Sequence, residues 1–378
     1  MVDLRYCTRC LYPETKPEIW FDQAGLCSAC QAYDARAAVD WKSREEQFVK
    51  LVTDTWPYGG TPWVIVPVSG GKDSTAQVLK CRQLGFRVLA VNARTDMLSD
   101  LGRANLDNIG RLTEVVEFHP SDTIRWKIMR LALEEIGDWS WPEHVLIHTV
   151  PFQAAVKFRI PVIVYGELAQ NEYGAGPRGA AETMRMTRRW VEEFAGFLGL
   201  RVDDVKTMLN LSDSDMGMYR FPDADALSAS PGVTAVWLGQ YFPWDGYDNF
   251  LTAKENGFKP FPGEHVEGSL YNYENLDNHA TGPRDYLRYV KYGYGRATDI
   301  ASNHIRRGRL TREAAIRLVR DRDGAFPEKC LGKPLEEILE PLGLTINQFV
   351  DFADRFTDKH LFELRLNELR PTPLFKLK

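Results

Sequence analysis

The stretch of residues 63–80 constrains the fold more than any other part of this chain. An apolar run rich in β-branched residues (63–68) leads into the turn Ser69-Gly-Gly-Lys-Asp-Ser74, and a stretch with helical character follows. A strand, a glycine-rich turn and a helix in this order point backbone N–H groups and a helix N-terminus at an anion. The segment therefore predicts a phosphate site in an α/β sheet.

The residues of this turn suit a pyrophosphate ligand. Gly70 and Gly71 let the main chain approach closely, the flanking serines add hydroxyl donors, and Lys72 neutralises charge on a leaving group. Asp73 can hold Mg2+ directly or through water. A Walker A loop is excluded, because Lys72 is followed by Asp73 and not by serine or threonine. The alternative is a plain glycine turn into a helix that Ser74 or Asp73 caps.

Strand-like and helix-like segments alternate after the turn. Strands are predicted at residues 87–92, 114–118, 161–166 and 234–240, and helices at 99–110 and 122–136. This alternation predicts a parallel, doubly wound α/β sheet with ligands at the C-terminal ends of its strands. Asn92, and Gly166 with Glu167, stand at the ends of two of these strands, so we expect them at the ligand site.

Four of the six cysteines form two CxxC pairs that are separated by sixteen residues: Cys7, Cys10, Cys27 and Cys30. This spacing is typical of a structural zinc site in which protein fills all four positions. About thirty-five residues cannot bury enough apolar surface to fold alone, so metal binding would supply much of the module's folding free energy. The alternatives are an iron–sulfur cluster, which also takes four thiolates, and a pair of disulfides.

Charge and hydropathy exclude several classes of protein. Lys and Arg total 47 against 52 Asp and Glu, a formal charge of −5, so no overall basic field collects nucleic acid. The longest apolar runs are far shorter than the ~20 residues that cross a bilayer. Charged residues and Cys7 stand where a signal peptide needs an apolar stretch. We therefore expect a cytoplasmic protein that binds neither membrane nor nucleic acid.

The length of 378 residues predicts two or three structural units. We expect a four-cysteine zinc module at residues 1–35 and a nucleotide-binding α/β domain at residues 36–250. A mostly helical C-terminal region at residues 251–378 would bind the substrate or a partner.

Two stretches of the chain combine glycines with arginine in patterns that suit ligand contact. Residues 293–299 predict a ligand-approach loop in preference to a helix. A second glycine-rich loop begins at Gly174 and is followed by Arg185, Arg188 and Arg189. A solvated helix face is the simpler interpretation of these arginines, and closure over a phosphorylated substrate is the alternative.

The turn at residues 69–74 resembles the SGGxDS loop of the N-type ATP pyrophosphatases, the PP-loop superfamily, and matches it at every fixed position. Those enzymes cleave ATP between its α and β phosphates and adenylate an oxygen of their substrate. Three further motifs extend the likeness: the CxxC pairs, Tyr-Glu-Asn-Leu-Asp at 273–277, and Lys-Tyr-Gly-Tyr-Gly-Arg-Ala-Thr-Asp at 291–299. With them the chain is similar to the N-acetyl sugar amidotransferases of bacterial surface-polysaccharide biosynthesis.

This resemblance implies an ATP-dependent, AMP-forming enzyme that uses Mg2+. The acetamido oxygen of a nucleotide-activated sugar would be adenylated, and ammonia would then displace AMP to leave an acetamidino group. The nearest likeness is to the enzyme acting on a UDP-diacetamido uronic acid for the O antigen of lipopolysaccharide. The main alternative is a tRNA-modifying PP-loop enzyme, thiolase or lysidine synthase-like, and a protein that only senses ATP is a third possibility.

The resemblance also assigns roles to residues. The implied ATP contacts are Val68, Ser69, Gly70, Gly71, Lys72, Asp73, Ser74, Asn92 and Gly166. The implied catalytic groups are Lys72, Asp73 and Glu167. The implied substrate contacts are Tyr273, Glu274, Asn275, Lys291, Arg296 and Asp299. Further candidates for a base or a metal ligand are Glu274, Asp277 and His304.

The sequence shows no nucleophile with which this chain could hydrolyse glutamine to supply ammonia. Cys81 and Cys330, the cysteines outside the zinc module, have no adjacent oxyanion-forming glycine motif, and Val2 cannot serve as an N-terminal nucleophile. The resemblance implies a separate glutaminase subunit with a cyclase-like barrel that conducts ammonia. A homodimer is compatible with the sequence.

Overall fold

The protein is described by a computed structural model over residues 2–174, 176, 185–186, 190–192, 195–363 and 371–377. Arg188 and Arg189, with most of the glycine-rich loop before them, lie outside the described residues. Within the described ranges, none of the helices is both long and apolar enough to cross a membrane.

Six strands form the central sheet in the part of the chain that the structure describes: β1 (Trp63–Pro67), β2 (Arg87–Ala93), β3 (Glu114–Phe118), β4 (Val162–Tyr165), β5 (Arg185–Met186) and β6 (Thr234–Trp237). Their order across the sheet is β3-β2-β1-β4-β6-β5. All neighbours are parallel except β5 and β6. The predicted parallel α/β sheet is confirmed, with one short antiparallel strand added at its edge.

The α-helices of the described residues lie between and after these strands. In chain order they are α1 (Ser28–Ala35), α2 (Trp41–Thr55), α3 (Lys72–Gln83), α4 (Asp100–Leu112), α5 (Asp122–Ile136), α6 (Trp141–Phe158), α7 (Ala169–Tyr173), α8 (Val202–Met208), α9 (Ala224–Ser228), α10 (Gly246–Glu255), α11 (Thr281–Tyr292), α12 (Arg296–Arg306), α13 (Arg312–Arg322), α14 (Leu335–Leu339) and α15 (Ile346–Phe356). Two small antiparallel pairs join β7 (Lys329–Cys330) to β8 (Lys333–Pro334) and β9 (Phe362–Glu363) to β10 (Thr372–Pro373).

The sheet is buried on both faces, because consecutive residues of a strand point to opposite sides. Ile65 and Ile163 belong to an apolar core that also contains residues of α5 and α6. Val64 and Val162 belong to a second core with residues of α2, α3 and α4. Helices on both faces make the sheet doubly wound, as predicted.

The N-terminal module packs against α7, which follows β4, and against α12 in the C-terminal region. The backbone N–H of Leu11 donates to the hydroxyl of Ser302 in α12 at 3.2 Å. The hydroxyl of Ser28 in α1 donates to the carbonyl of Gly174, just after α7, at 2.7 Å. A four-cysteine module at the N-terminus and a largely helical C-terminal region are therefore both confirmed.

One local prediction for the C-terminal region is wrong. Residues 293–299 do not form a single loop, because α12 begins at Arg296. The carboxylate of Asp323 accepts hydrogen bonds from the backbone N–H groups of Gly295 and Ala297 at 2.7 and 2.9 Å. Asp323 thus satisfies N–H groups at the start of α12 from a distant part of the sequence.

Candidate active site

The loop between β1 and α3 is held in one backbone conformation. Gly70 has a φ of 91°, and a Cβ atom there would lie 2.9 Å from the carbonyl oxygen of Gly102 in α4. The hydroxyls of Ser74 and Thr75 each donate to the carbonyl of Gly71 at 3.0 Å. Only glycine fits at residue 70, because any other residue would be strained at this positive φ and its Cβ would collide with the neighbouring helix.

This loop lies at the position where ligands bind in open α/β sheets. Strand β1 pairs with β2 on one side and with β4 on the other. Strands β2 and β3 extend the sheet in one direction from β1, and β4, β6 and β5 extend it in the other, so β1 lies at the topological switch point. Gly166 and Glu167 follow β4, and a Cβ on Gly166 would lie 2.0 Å from Nε2 of Gln77. The amide of Asn92 donates to the carbonyl of Val68 at 2.7 Å, which ties the ends of β1 and β2 together.

Lys72 is the buried cation at the start of α3. Its Nζ lies 2.5 Å from a carboxylate oxygen of Asp73 and 3.2 Å from one of Glu274, and its side chain is 5% exposed. Burial alone would lower the pKa of Lys72, but the charges of Asp73 and Glu274 outweigh it and raise the pKa. The amine is therefore a fixed positive charge in the cleft.

Acidic groups surround this cation. The second carboxylate oxygen of Asp73 accepts a hydrogen bond from the side-chain amide of Asn249 in α10 at 2.8 Å. Burial, together with the charge of Asp73, raises the pKa of Glu167 to about 7. Burial also raises the pKa of Glu274, against the opposing charge of Lys72. The carboxylates lie along the cleft, but in the described residues the four cysteines are the only His/Cys/Asp/Glu group close enough to hold one ion by themselves. Mg2+ here would need phosphate oxygens as additional ligands.

The opposite wall of the cleft comes from the C-terminal region. Glu274, Arg296, Asp299 and His304 line the same cavity as Lys72, Asp73 and Glu167. Asp299 accepts a hydrogen bond from Arg288 at 2.7 Å. Burial would raise the pKa of Asp299, but Arg288 and Arg296 lower it. The sequence-predicted residues of two distant segments therefore share one cavity.

Several cleft residues have no signal in the sequence. Asp245, which caps α10, lies 2.8 Å from Arg307 and also binds Arg309. Glu172 of α7 accepts from Arg307 at 2.8 Å. Tyr173, Trp244 and Tyr247 complete this side of the cavity. These residues belong to no motif, and only the fold brings them together.

The remaining predicted substrate contacts lie in different environments. Tyr273 is 4% exposed and stacks on Phe250 with ring centroids 4.2 Å apart, although its hydroxyl lies 3.4 Å from Nε2 of His304. The amide of Asn275 is oriented so that both its oxygen and its nitrogen have suitable partners. In this orientation the oxygen accepts hydrogen bonds from Arg296 at 2.9 Å. Lys291 lies apart from the cavity and donates to the carbonyl of Ile136 at 2.7 Å.

Asp277 stands close to the loop, at Ser69. Burial, and secondly the charge of Glu143, raises the pKa of Asp277 to about 7, and a hydrogen bond with Ser69 opposes this shift. Its backbone carbonyl accepts from the N–H of Ser99, the residue that caps α4. Asp277 therefore connects the C-terminal region to the loop of residues 69–74.

The four cysteines of the N-terminal module form a group that can hold a metal. Cys7, Cys10, Cys27 and Cys30 are fully buried, and their sulfur atoms all lie within 4.8 Å of one another. The Sγ atoms of Cys7 and Cys30 are 3.8 Å apart, and those of Cys10 and Cys27 are 3.5 Å apart. Metal–sulfur bonds of about 2.3 Å in tetrahedral geometry place sulfurs about 3.8 Å from one another. The spacing of the four sulfurs therefore suits a bound metal ion.

Cys81 and Cys330, outside the module, are both buried. Burial raises the pKa of each thiol to about 12. A thiolate nucleophile needs a lowered pKa and access to its substrate. Neither cysteine has these properties.

Comparison with known proteins gives one family match and several structural ones. Residues 267–370 match a family described as "LPS biosynthesis protein WbpG-like, C-terminal domain". None of the curated proteins matches the chain significantly.

Solved structures overlap with this fold at low similarity. A tRNA thiolase from Methanococcus maripaludis with its 4Fe-4S cluster is 12% identical, with 85% of this chain and 87% of that chain covered and a TM-score of 0.34. The NAD+ synthetase from Burkholderia pseudomallei is 18% identical, with 63% and 95% covered and a TM-score of 0.27. At this similarity the activity has to be argued from the cleft itself.

Proposed function

We propose that this protein is an ATP-dependent, AMP-forming amidotransferase of the PP-loop type that acts on an N-acetyl group of a nucleotide-activated sugar. One observation carries the proposal. Lys72 of the phosphate-type loop and Glu274, Arg296 and Asp299 line one cavity, and the last three lie in the segment that matches the lipopolysaccharide-biosynthesis family. A nucleotide on the loop and a sugar held by that segment would therefore meet in this cavity.

The first step would transfer AMP to the acetamido oxygen. This oxygen attacks the α-phosphorus of ATP, the bond from the α-phosphorus to the bridging oxygen breaks, and pyrophosphate leaves. Lys72 and the N–H groups at the start of α3 are the donors for the leaving pyrophosphate. Mg2+ held by Asp73 and the phosphates would neutralise developing charge. Asn249 fixes the orientation of the Asp73 carboxylate.

The second step would replace AMP by nitrogen. Ammonia attacks the adenylated carbon, loses protons to nearby bases, and the carbon–oxygen bond to AMP breaks to leave the acetamidino group. Glu167, with a pKa of about 7, can accept a proton near neutral pH. Burial, and next the charge of Arg309, lowers the pKa of His304 to about 4, so its imidazole is neutral and also available as a base.

We infer that ammonia comes from a separate glutaminase subunit with a cyclase-like barrel. Cys81 and Cys330 are buried and have raised pKa values, so neither supports glutamine hydrolysis by this chain. The same burial argues against a sulfur-transfer reaction, which needs reactive cysteines.

The metal of the four-cysteine site is proposed to be zinc with a structural role. Sulfur spacings near 3.8 Å suit one tetrahedral ion, and all four positions would be filled by protein. Cysteines that are not joined by disulfides and the use of ATP favour a reducing cytoplasm.

The experiment is an assay of the purified protein with ATP, Mg2+, ammonium chloride and a UDP-diacetamido uronic acid. We expect AMP and pyrophosphate, together with a sugar product about one mass unit lighter, as oxygen is replaced by NH. Release of ADP and orthophosphate would overturn the proposal. Release of AMP with tRNA and not with the sugar would favour the tRNA-modifying alternative, and no release with either would favour an ATP sensor.

A further inference from the structure

The four-cysteine centre lies directly behind two helices that form the wall of the cleft. Arg296, Asp299 and His304 of α12 line the cavity, as does Glu172 of α7. The same two helices contact the N-terminal module, α12 through Ser302 and α7 through the adjoining Gly174. A change at the centre can therefore reach the cavity through α7 and α12.

Arg306, the last residue of α12, contacts both the N-terminal module and α7. It is 6% exposed, and its Nη2 donates to the backbone carbonyl of Glu172 at 2.6 Å. The guanidinium lies 5.6 Å from the ring of Tyr12, which belongs to the apolar cluster of the four cysteines. Its Nη1 is buried and has no hydrogen-bond partner among the residues that the structure describes.

The charge of Arg306 is compensated from the side of the centre. Burial would lower the pKa of Arg306, but Tyr12, the thiolates of Cys10 and Cys30 and the carboxylate of Glu172 raise it. Four thiolates around one divalent ion keep a net negative charge, and a buried charge is costly without a partner of opposite sign. The loaded centre and Arg306 therefore stabilise each other.

We propose that Arg306 couples the four-cysteine centre to the cleft, by holding the ends of α7 and α12 more tightly while the centre is loaded. It is a positioning residue, since it touches no reacting atom. The inference rests on the proposed metal site and not on the proposed reaction. Loss of the metal would remove the part of the counter-charge of Arg306 that the thiolates supply, and would weaken its contact with Glu172.

A second set of contacts shows why α7 responds to this change. The carboxylate of Glu172 accepts from Arg36, which follows α1 of the module, at 2.7 Å and from Arg307 of α12 at 2.8 Å. Glu172 thus joins the module to both helices, and Arg306 binds the backbone of the same residue. Release of Arg306 would loosen one of the connections that hold α7.

The test uses hydrogen–deuterium exchange on the full chain, first loaded with zinc and then stripped by a chelator. Metal analysis of the loaded protein comes first, and absence of bound zinc would overturn both the metal site and this inference. In the wild type we expect stripping to speed exchange in residues 169–173 and 296–306. In Arg306→Met these residues should exchange faster with zinc bound, and stripping should add little.

The matched control is Arg9→Met. Arg9 also carries a positive charge near Cys7 and Cys30, but it binds Asp34 on the outer side of the module at 2.7 and 2.8 Å. This variant should show the wild-type response of α7 and α12 to stripping. Competition with a chromogenic chelator should remove zinc about tenfold faster from Arg306→Met than from Arg9→Met, as for other residues that support metal ligands.

Two outcomes would contradict the inference. One is an equal effect of stripping on both helices in Arg306→Met and the wild type, and the other is zinc release from Arg306→Met at the rate of the control. If Arg306→Met does not fold, Arg306→Lys replaces it. Lysine keeps the charge but not the fork, so zinc retention should stay near the wild type while α7 exchanges faster. Unchanged exchange in Arg306→Lys would then overturn the proposal.

Discussion

At the scale of single residues, Lys72 shows both the reach and the limit of sequence analysis. The turn of residues 69–74 predicts a cation at a phosphate site, and the structure has Lys72 buried at the start of α3. Glu274, its second acidic partner, comes from a segment two hundred residues away. The pairing could not be predicted, because no local pattern links a loop to a distant carboxylate.

Replacement of Lys72 by methionine should lower the rate of pyrophosphate release about hundredfold or more, because a donor to the leaving group is lost. The measurement is kcat for AMP formation with ammonium and the sugar substrate. Lys80→Met is the matched control, since Lys80 lies on the same helix, covers the ring of Phe242 and faces Glu45 at 3.9 Å. Equal rates in the two variants would contradict a role for Lys72.

Glu167 leads to a prediction about stability and pH. Its pKa is raised from 4.5 to about 7, so between these values the folded state keeps a proton that the unfolded state has lost. The free energy of unfolding is therefore higher at low pH, where Glu167 is protonated, and falls as the pH rises towards 7 and the buried group becomes charged. Glu167→Gln should raise the free energy of unfolding by about 2 kcal/mol at pH 8 and leave it unchanged at pH 4. Urea denaturation at both values tests this, with the exposed Glu114→Gln as control. The same shift at both pH values would refute the assignment.

At the scale of elements, the strands are the most predictable part. Buried parallel strands are apolar on both faces, so β1, β2, β4 and β6 stand out in the sequence. Helix α6 cannot be recognised in the sequence in the same way, because Pro142 and Pro151 are residues that usually interrupt a helix. Pro142, however, lies in the first turn, where no backbone N–H is needed for a helical hydrogen bond. The start of α12 is also hidden, since its N–H groups are satisfied by Asp323 and not by a neighbouring residue.

The loop between β1 and α3 provides a test at this scale. Gly70 and Gly85 both have positive φ angles, of 91° and 87°. A Cβ atom at residue 70 would collide with Gly102, whereas a Cβ atom at residue 85 would have nothing within 4 Å. Gly85→Ala should therefore cost about 1 kcal/mol of stability and leave ATP binding unchanged. Gly70→Ala should also weaken ATP binding more than tenfold in a calorimetric titration, as α4 or the loop must move. Equal ATP affinity in both variants would show that the contact with α4 does not shape the loop.

At the scale of the whole molecule, the cleft is assembled from segments that the sequence keeps apart. Residues after β1, β4 and β6 meet α7, α10 and α12 in one cavity. The sequence motifs locate the loop and part of the C-terminal wall, but Asp245, Arg307 and Arg309 belong to no motif. Their role depends on tertiary packing and could be found only in three dimensions.

The supply of nitrogen provides a prediction at this scale. Ammonium should support AMP release by the isolated chain, at a rate that saturates with ammonium concentration. Glutamine should not, because the cysteines outside the four-cysteine module are buried. The measurement is AMP release with either nitrogen source. Cys330→Ala should leave the ammonium-dependent rate unchanged. Glutamine-dependent release that Cys330→Ala abolishes would contradict the need for a separate glutaminase.

The docking of the N-terminal module has a consequence for how the chain is made. Leu11 finds its partner Ser302 and Thr15 finds the carbonyl of Tyr292 across separations of 291 and 277 residues. During synthesis on the ribosome, the cysteine pairs emerge long before the helices that will cover them. The module therefore stays uncovered until these helices have been translated, and an ion held by its four cysteines would be bound before or during this last step of folding.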